Sequence, residues 1–194
     1  MTLYLASGSP RRAELLRQIA VPFTVLPAPD IDESPFAGEA PLDYVRRMAE
    51  EKARAGLQRL NDTGATVLGA DTAVVLERDI LGKPASREEA LAMLRRLNGK
   101  EHQVMSALAL CHRGELRLRH AITRVQFRSL DEVALHAYVQ TGEGDDKAGA
   151  YGIQGLGAAL VASLTGSYSG VVGLPLEQMV ELLDWAEIRY WQVD

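Results

Sequence analysis

The sequence predicts an α/β fold: mixed strands with helices packed around them. Short apolar runs alternate with amphipathic segments of helical period. Capping residues open several of the helical segments, and glycine or proline closes many of the joints. The chain has 194 residues. That is enough for one domain spanning 1–194, with its core either single or divided between two lobes.

The elements follow in order. Residues 2–6 read as a strand, and 11–20 as a helix with Leu15, Leu16 and Ile19 inward. "PFTVLP" reads as a second strand. "APDIDESPFAGEAP" is a long acidic loop, of a length that is often functional. A helix runs from about Leu42 to Leu60, and "ATVLGADTAVVLE" is a buried strand that "RDILGKP" turns away from. "SREEALAMLRRLNG" carries a capping box, Ser86 to Glu89, and stops at Gly99. Two long antiparallel strands are expected around Arg113-Gly114. "SLDEVALHAYVQTG" offers a second capping box, Ser129 to Glu132. The glycine-rich "KAGAYGIQGLG", a short strand and the helix "PLEQMVELLDWA", with proline near its first turn, complete the chain.

Composition narrows the function. Hydrophobic residues make up 47% and charged residues 24%, as in ordinary globular domains. The net charge of -5 disfavours a polyanionic nucleic acid as partner but leaves room for a free nucleotide, which needs only a local cluster of cations. Cys111 is the single cysteine, so no intrachain disulfide forms. The histidines lack zinc-site spacing. No basic segment followed by a long apolar run opens the chain, so neither a secretory signal nor a membrane partner is expected, and cytoplasm is the expected compartment.

Several charges sit where a core should be. "LASGSPRR" leaves a strand, turns on small residues and places Arg11 and Arg12 at a helix start. The helix dipole disfavours cations there, and an anion bound between the backbone N–H groups and the guanidinium forks would remove the conflict. In the helix 42–60, Tyr44, Val45, Met48, Ala49, Gly56 and Leu60 share one side, and Lys52 falls in its middle. A buried ammonium must reach an anion or a cleft. Asp71 is the one charge in "ATVLGADTAVVL" and has the same need. Thr72 beside it points to the opposite face of a regular strand. Lys83 lies in an exposed "GKP" loop. Lys147 precedes glycines 149, 152, 155 and 157, which allow a backbone to approach a ligand or mark a bulged strand; Asp145 and Asp146 are its nearest ion-pair candidates. Asp30, Asp32 and Glu33 are hard oxygen donors suited to Mg²⁺ or Mn²⁺ shared with phosphates. Cations and carboxylates together suit a phosphoanhydride substrate, a divalent ion and an activated water. No GxxxxGK[ST] segment is present, so P-loop chemistry is not supported.

In uninterrupted order from about Leu3 to Leu183, "LYLASGSPRR", "IDES", "EKA", "GADT", "GKP", "DKAGAYGIQG" and "VVGLPL" resemble the Maf family of nucleoside triphosphate pyrophosphatases, also known as the septum formation inhibitor family. The resemblance implies a two-lobed α/β fold with a central cleft, similar to inosine triphosphate pyrophosphatases. It implies metal-dependent hydrolysis of a nucleoside triphosphate to monophosphate and pyrophosphate. Asp71 matches the proton acceptor, and Ser9, Arg12, Glu33, Lys52 and Lys83 match polar active-site positions. Glu33 and Asp71 are the expected ligands of the divalent ion. Arg11, Thr72 and Gln154 resemble the dTTP/UTP branch; the 7-methyl-GTP branch has Trp, Gln and Glu there. A cationic methylated guanine favours an aromatic face and a carboxylate, whereas a neutral pyrimidine edge is matched by a carboxamide. The alternatives are a nucleotide-binding regulator of cell division and a purine enzyme of the inosine triphosphate type. A homodimer stays open.

Overall fold

In the computed structural model, which describes residues 2–191, the chain forms a mixed seven-stranded sheet. Strand β1 (Leu3–Ala6), helix α1 (Pro10–Gln18) and strand β2 (Phe23–Leu26) come first, followed by the long helix α2 (Pro41–Leu60). Strands β3 (Thr66–Leu76) and β4 (Asp79–Leu81) lead into helix α3 (Arg87–Leu97) and the hairpin of β5 (Glu101–His112) and β6 (Glu115–Phe127). Helix α4 (Glu132–Gln140), two 3₁₀ turns (Ala148–Ala150 and Leu156–Leu160), β7 (Val161–Thr165), α5 (Tyr168–Val172) and α6 (Leu176–Trp185) finish the chain. The sheet order is β2-β1-β3-β5-β6-β7, with β4 also on β3. β1 is parallel to β2 and β3, and the remaining pairs are antiparallel.

Three local expectations change. The "RDILGKP" segment contains a strand, because Asp79–Leu81 folds back to pair with Leu76–Val74. Helix α4 is capped by Asp131, whose Oδ1 accepts from Ala134 N at 2.8 Å, so the Ser129 box does not form. The short helix α5 follows β7, where no helix was expected. The Ser86 cap of α3 is present: its hydroxyl accepts from Glu89 N at 3.2 Å.

Alternation along β3 and β5 organises the core. On one face Leu68 and Ala70 join Leu108 and Leu110 beneath α1, α5 and α6. Farther along the same face, Val74 and Leu76 join Val104 in a second core with α3 and α4. Between them lies a polar step, the cross-strand pair Thr72 and Ser106. The opposite face carries Ala73, Val75, Met105, Ala107 and Ala109 under α2. Helix α2 lies very close to β3 here, since a Cβ on Gly69 would overlap the Ala49 carbonyl oxygen and Ala53 N.

The edges of β3 explain where a cleft opens. β1 pairs with it only at Thr66–Leu68, and β4 only at Val74–Leu76. Residues 69–73 therefore keep β5 on one edge and have no strand on the other. A gap beyond the carboxyl end of a parallel strand is a usual ligand site in open α/β sheets.

Candidate active site

The cleft at this gap has a volume of about 840 Å³, within the range of small-molecule sites. Asp71 and Thr72 both reach it from opposite faces of β3, because the strand has no neighbour there to separate its two sides. Ser9, Arg11, Arg12, Glu33, Lys52, Lys83 and Gln154 line it too, so all nine positions matched by the family resemblance meet in one place.

Lys52 and Asp71 account for each other. Lys52 Nζ donates to Asp71 Oδ1 at 2.7 Å and lies 2.6 Å from Glu33 Oε1. The residues are 7% and 8% exposed, a depth at which either charge alone would be costly. Burial pushes the Asp71 carboxyl up, against the opposing pull of Lys52 and Arg12. Glu33 goes the other way: burial opposes its charge, but the Lys52 contact outweighs it and the carboxyl lies below its usual range. Its loop is held by α2, as Tyr44 OH donates to the Glu33 carbonyl at 2.9 Å. Burial, with Asp71 and Glu33 nearby, pushes the Tyr44 phenol up to about 12, so it remains a donor. Arg47 binds both oxygens of Glu39 at 2.7 Å, donates to the Ser34 carbonyl and stacks on Phe36. Asp30 and Asp32 do not join the cleft; Asp32 Oδ1 instead accepts from Ser34 N at 2.9 Å.

Arg12 resolves its helix-start conflict partly within the protein. Its Nε donates to the Gly173 carbonyl at 2.9 Å, and one terminal nitrogen donates to Ser7 Oγ at 3.0 Å. The other lies 3.4 Å from Thr72 Oγ1. Thr72 in turn lies 2.8 Å from Ser106 Oγ, which donates to the Gly170 carbonyl at 2.6 Å. Two of the five guanidinium donors still lack these partners, and Arg11 stays at the cleft wall. Ser9 is the N-cap of α1 without a side-chain capping bond. Pro10 follows it and no acid sits in the first turn, so that helix end favours an anion.

Lys83 is exposed at the mouth and has no ion-pair partner among the described residues. Lys147 pairs with Asp146 at 2.7 Å and donates to the Glu143 carbonyl at 2.5 Å, whereas Asp145 faces Arg87. Gln154 is exposed on the glycine-rich wall and makes no hydrogen bond among the described residues. The glycines form no bulged strand, and Gly152 and Gly155 line the cleft. Gly149 abuts Val74, Gly152 abuts Lys147, and Gly155 abuts Glu143. Sequence reasoning missed Ser7, Tyr44, Arg47, Ser106 and Glu143. Each is an ordinary polar residue whose role depends on a partner distant in the chain, apart from Ser7, whose signal was its place in the small-residue turn.

Among the described residues no helix is long and apolar enough to cross a membrane. The Coxiella burnetii HAM1 protein shares the fold at a TM-score of 0.54 and 17% identity, over 96% of this chain and 100% of that one. A dTTP/UTP pyrophosphatase of Alcanivorax borkumensis is 68% identical over 194 residues, covering 100% of both chains. Relatives with the same name from Bordetella parapertussis and Symbiobacterium thermophilum are each 51% identical, over 96% and 93% of this chain and 93% and 92% of their own. The family model for Maf-like proteins matches residues 2–186, and with the cleft assembled from the motifs of that family, the chain belongs to the Maf-like proteins.

Proposed function

We propose that the protein hydrolyses the α–β phosphoanhydride of dTTP and UTP to the nucleoside monophosphate and pyrophosphate. The observation that carries this reading is the buried Asp71 carboxylate, 2.7 Å from Lys52 Nζ and open to the cleft at the unpaired stretch of β3. The names of the relatives supply the substrate class.

In this mechanism Asp71 accepts the proton of the attacking water. A carboxyl raised by burial is a stronger base than an ordinary one. The water oxygen bonds to phosphorus as the bridging P–O bond breaks, and pyrophosphate leaves with the electron pair. Arg12, Lys52 and Lys83 offset the charge that develops on the phosphate oxygens. Ser9 and the first turn of α1 bind a phosphate oxygen through N–H and O–H donors.

A divalent ion suits the donor set. Glu33 and Asp71 place carboxylate oxygens around one positively charged point, at 2.6 and 2.7 Å from Lys52 Nζ. No group of three or more His, Cys, Asp or Glu side chains suited to a metal exists among the described residues. Mg²⁺ or Mn²⁺ would therefore be held by these two carboxylates together with substrate phosphates, and when bound it supplies charge neutralisation at the phosphates. On the base side, Gln154 offers a donor and an acceptor to a neutral pyrimidine edge, Arg11 lines the same cleft, and Thr72 lies 3.4 Å from Arg12.

The test is pyrophosphate release from dTTP, UTP, 7-methyl-GTP and ITP with Mg²⁺ or Mn²⁺. The expected result is a preference of about tenfold or more in kcat/KM for the pyrimidines. Preference for 7-methyl-GTP or ITP would reassign the substrate. Tight binding without pyrophosphate release would favour the regulatory alternative.

A further inference from the structure

We infer that Glu143 is the positioning residue for base selection: its carboxylate, with Tyr138, clamps the segment Gly152–Gly157 and so places Gln154. This inference rests on the proposed reading that Gln154 faces the base. Glu143 follows Gly142, just beyond the end of α4, and its side chain turns towards the glycine-rich wall. Glu143 Oε2 accepts from Leu156 N at 2.6 Å, and Oε1 accepts from Gly157 N at 2.8 Å. Tyr138 OH donates to the same Oε1 at 3.0 Å and accepts from Gly152 N at 3.3 Å. One carboxylate and one phenol thereby hold both ends of a segment whose middle residues are Ile153, Gln154 and Gly155. Lys147 secures the backbone of Glu143 itself, donating to its carbonyl at 2.5 Å.

Three features make this a built clamp. Three donors, two N–H groups and one O–H, converge on a group that can only accept, and an ionised carboxylate has lone pairs for all of them. The glycines fit around it: a Cβ on Gly155 would overlap the Glu143 carboxylate, and one on Gly157 would lie 2.8 Å from Tyr138 OH. Ile153 and Gln154 make no backbone hydrogen bond among the described residues, whereas Leu156 and Gly157 also open the 3₁₀ turn Leu156–Leu160. Burial works against the charge on Glu143, but the N–H groups of Gly157 and Leu156 and the Tyr138 hydroxyl outweigh it and hold the carboxyl below its usual range. Lys52, Asp71 and Lys83 belong to α2, β3 and the loop after β4, so the clamp acts on the base side of the cleft and leaves the phosphate side in place.

The decisive variant is Glu143→Gln, which keeps the shape but turns an amide N–H₂ towards a backbone N–H. Three measurements are made on wild type, Glu143→Gln and Tyr138→Phe: steady-state kinetics on UTP and 7-methyl-GTP, UTP binding by calorimetry, and amide exchange at Leu156 and Gly157. For Glu143→Gln the KM for UTP should rise about 5- to 100-fold with kcat within about threefold. The UTP to 7-methyl-GTP ratio should fall towards one, and both amides should exchange at least about tenfold faster. Tyr138→Phe, which keeps the two backbone bonds to Glu143, should fall between. Unchanged KM and ratio with a lowered melting temperature would overturn the proposal by making the clamp merely structural. A loss confined to kcat would overturn it by placing Glu143 among the phosphate contacts. Should Glu143→Gln fail to fold, Tyr138→Phe decides: a shifted KM and ratio support the clamp, and wild-type values overturn it. A wild type that releases no pyrophosphate from UTP would sink the functional reading alone, and the clamp would then stand or fall on amide exchange and UTP binding.

Discussion

At the scale of residues, Asp71 and Lys52 carry opposite burdens of one buried contact, 2.7 Å long. Replacing Asp71 by Asn removes the proposed proton acceptor but keeps the volume. Turnover should fall by about 10²- to 10⁴-fold, while the melting curve stays close to wild type because Lys52 keeps Glu33 at 2.6 Å as its partner. In the wild type, kcat/KM should decline on the acid side as Asp71 takes up its proton. Since burial raises that carboxyl, the limb should lie above the ordinary aspartate value of about 3.9. Initial rates across pH check both points. Lys52→Met has a different cost. It strips Asp71 of its hydrogen-bonded cation and leaves the buried carboxylate only the weaker pull of Arg12, a loss of up to about 3–5 kcal/mol when the carboxylate is charged. The Asp71 carboxyl then rises further. A group raised in the fold favours the native state below its unfolded pKa, and that benefit disappears as pH rises through the folded value. The stability deficit of Lys52→Met should therefore shrink on acidification and be largely relieved in the double variant with Asp71→Asn. Denaturant melts at neutral and acid pH measure it, and a pH-independent deficit would mean Asp71 is not its source.

At the scale of elements, the Lys52–Asp71 contact depends on how closely α2 lies on β3. Gly69 permits that approach, and any Cβ there would overlap the helix backbone at Ala49 and Ala53. Gly69→Ala must lift α2, which also moves Lys52 away from Asp71. Overpacking of this kind typically costs about 1–3 kcal/mol, and more where backbone is the obstacle. Activity should fall even at temperatures where the variant is fully folded. Thermal melts and kinetics on the same preparation distinguish the two effects; full activity in a folded Gly69→Ala protein would show that the helix position does not set the site.

At the scale of the whole molecule, a buried histidine couples stability to pH. His102 is 2% exposed, its Nε2 lies 2.8 Å from Tyr151 OH, and its Nδ1 has no partner among the described residues. Phe127 and Tyr151 pack edge-on against it. Burial lowers its pKa to about 4. The fold thus holds His102 neutral, while the unfolded chain binds a proton near pH 6.5. A depressed pKa contributes stability that is complete above the unfolded value and is lost as pH falls towards the folded one. Stability should therefore drop between about pH 6.5 and 4, by roughly 3 kcal/mol from this group. His102→Gln should flatten that part of the profile, which denaturant titrations at a series of pH values would reveal. An unaltered slope in the variant would assign the acid sensitivity to other groups.

The alternating strands and helices, the Ser86 cap and the buried burden of Lys52 and Asp71 were all legible in the sequence, because each depends on periodicity or on the cost of an isolated charge. The family motifs added Ser9 and Gln154, and the base-side roles proposed for Arg11 and Thr72. Only the tertiary structure decided which partners meet. Asp131 rather than Ser129 caps α4, because the helix begins two residues later than the box requires. Asp79–Leu81 becomes a strand because β3 offers it an open edge. Arg12 spends much of its fork on Gly173, Ser7 and Thr72, and Glu143 finds its donors thirteen and fourteen residues onward. Local pattern reports what a residue needs. Which distant group meets that need is set when strands of unequal length pack, leaving residues 69–73 of β3 uncovered on one edge and giving the cleft its place.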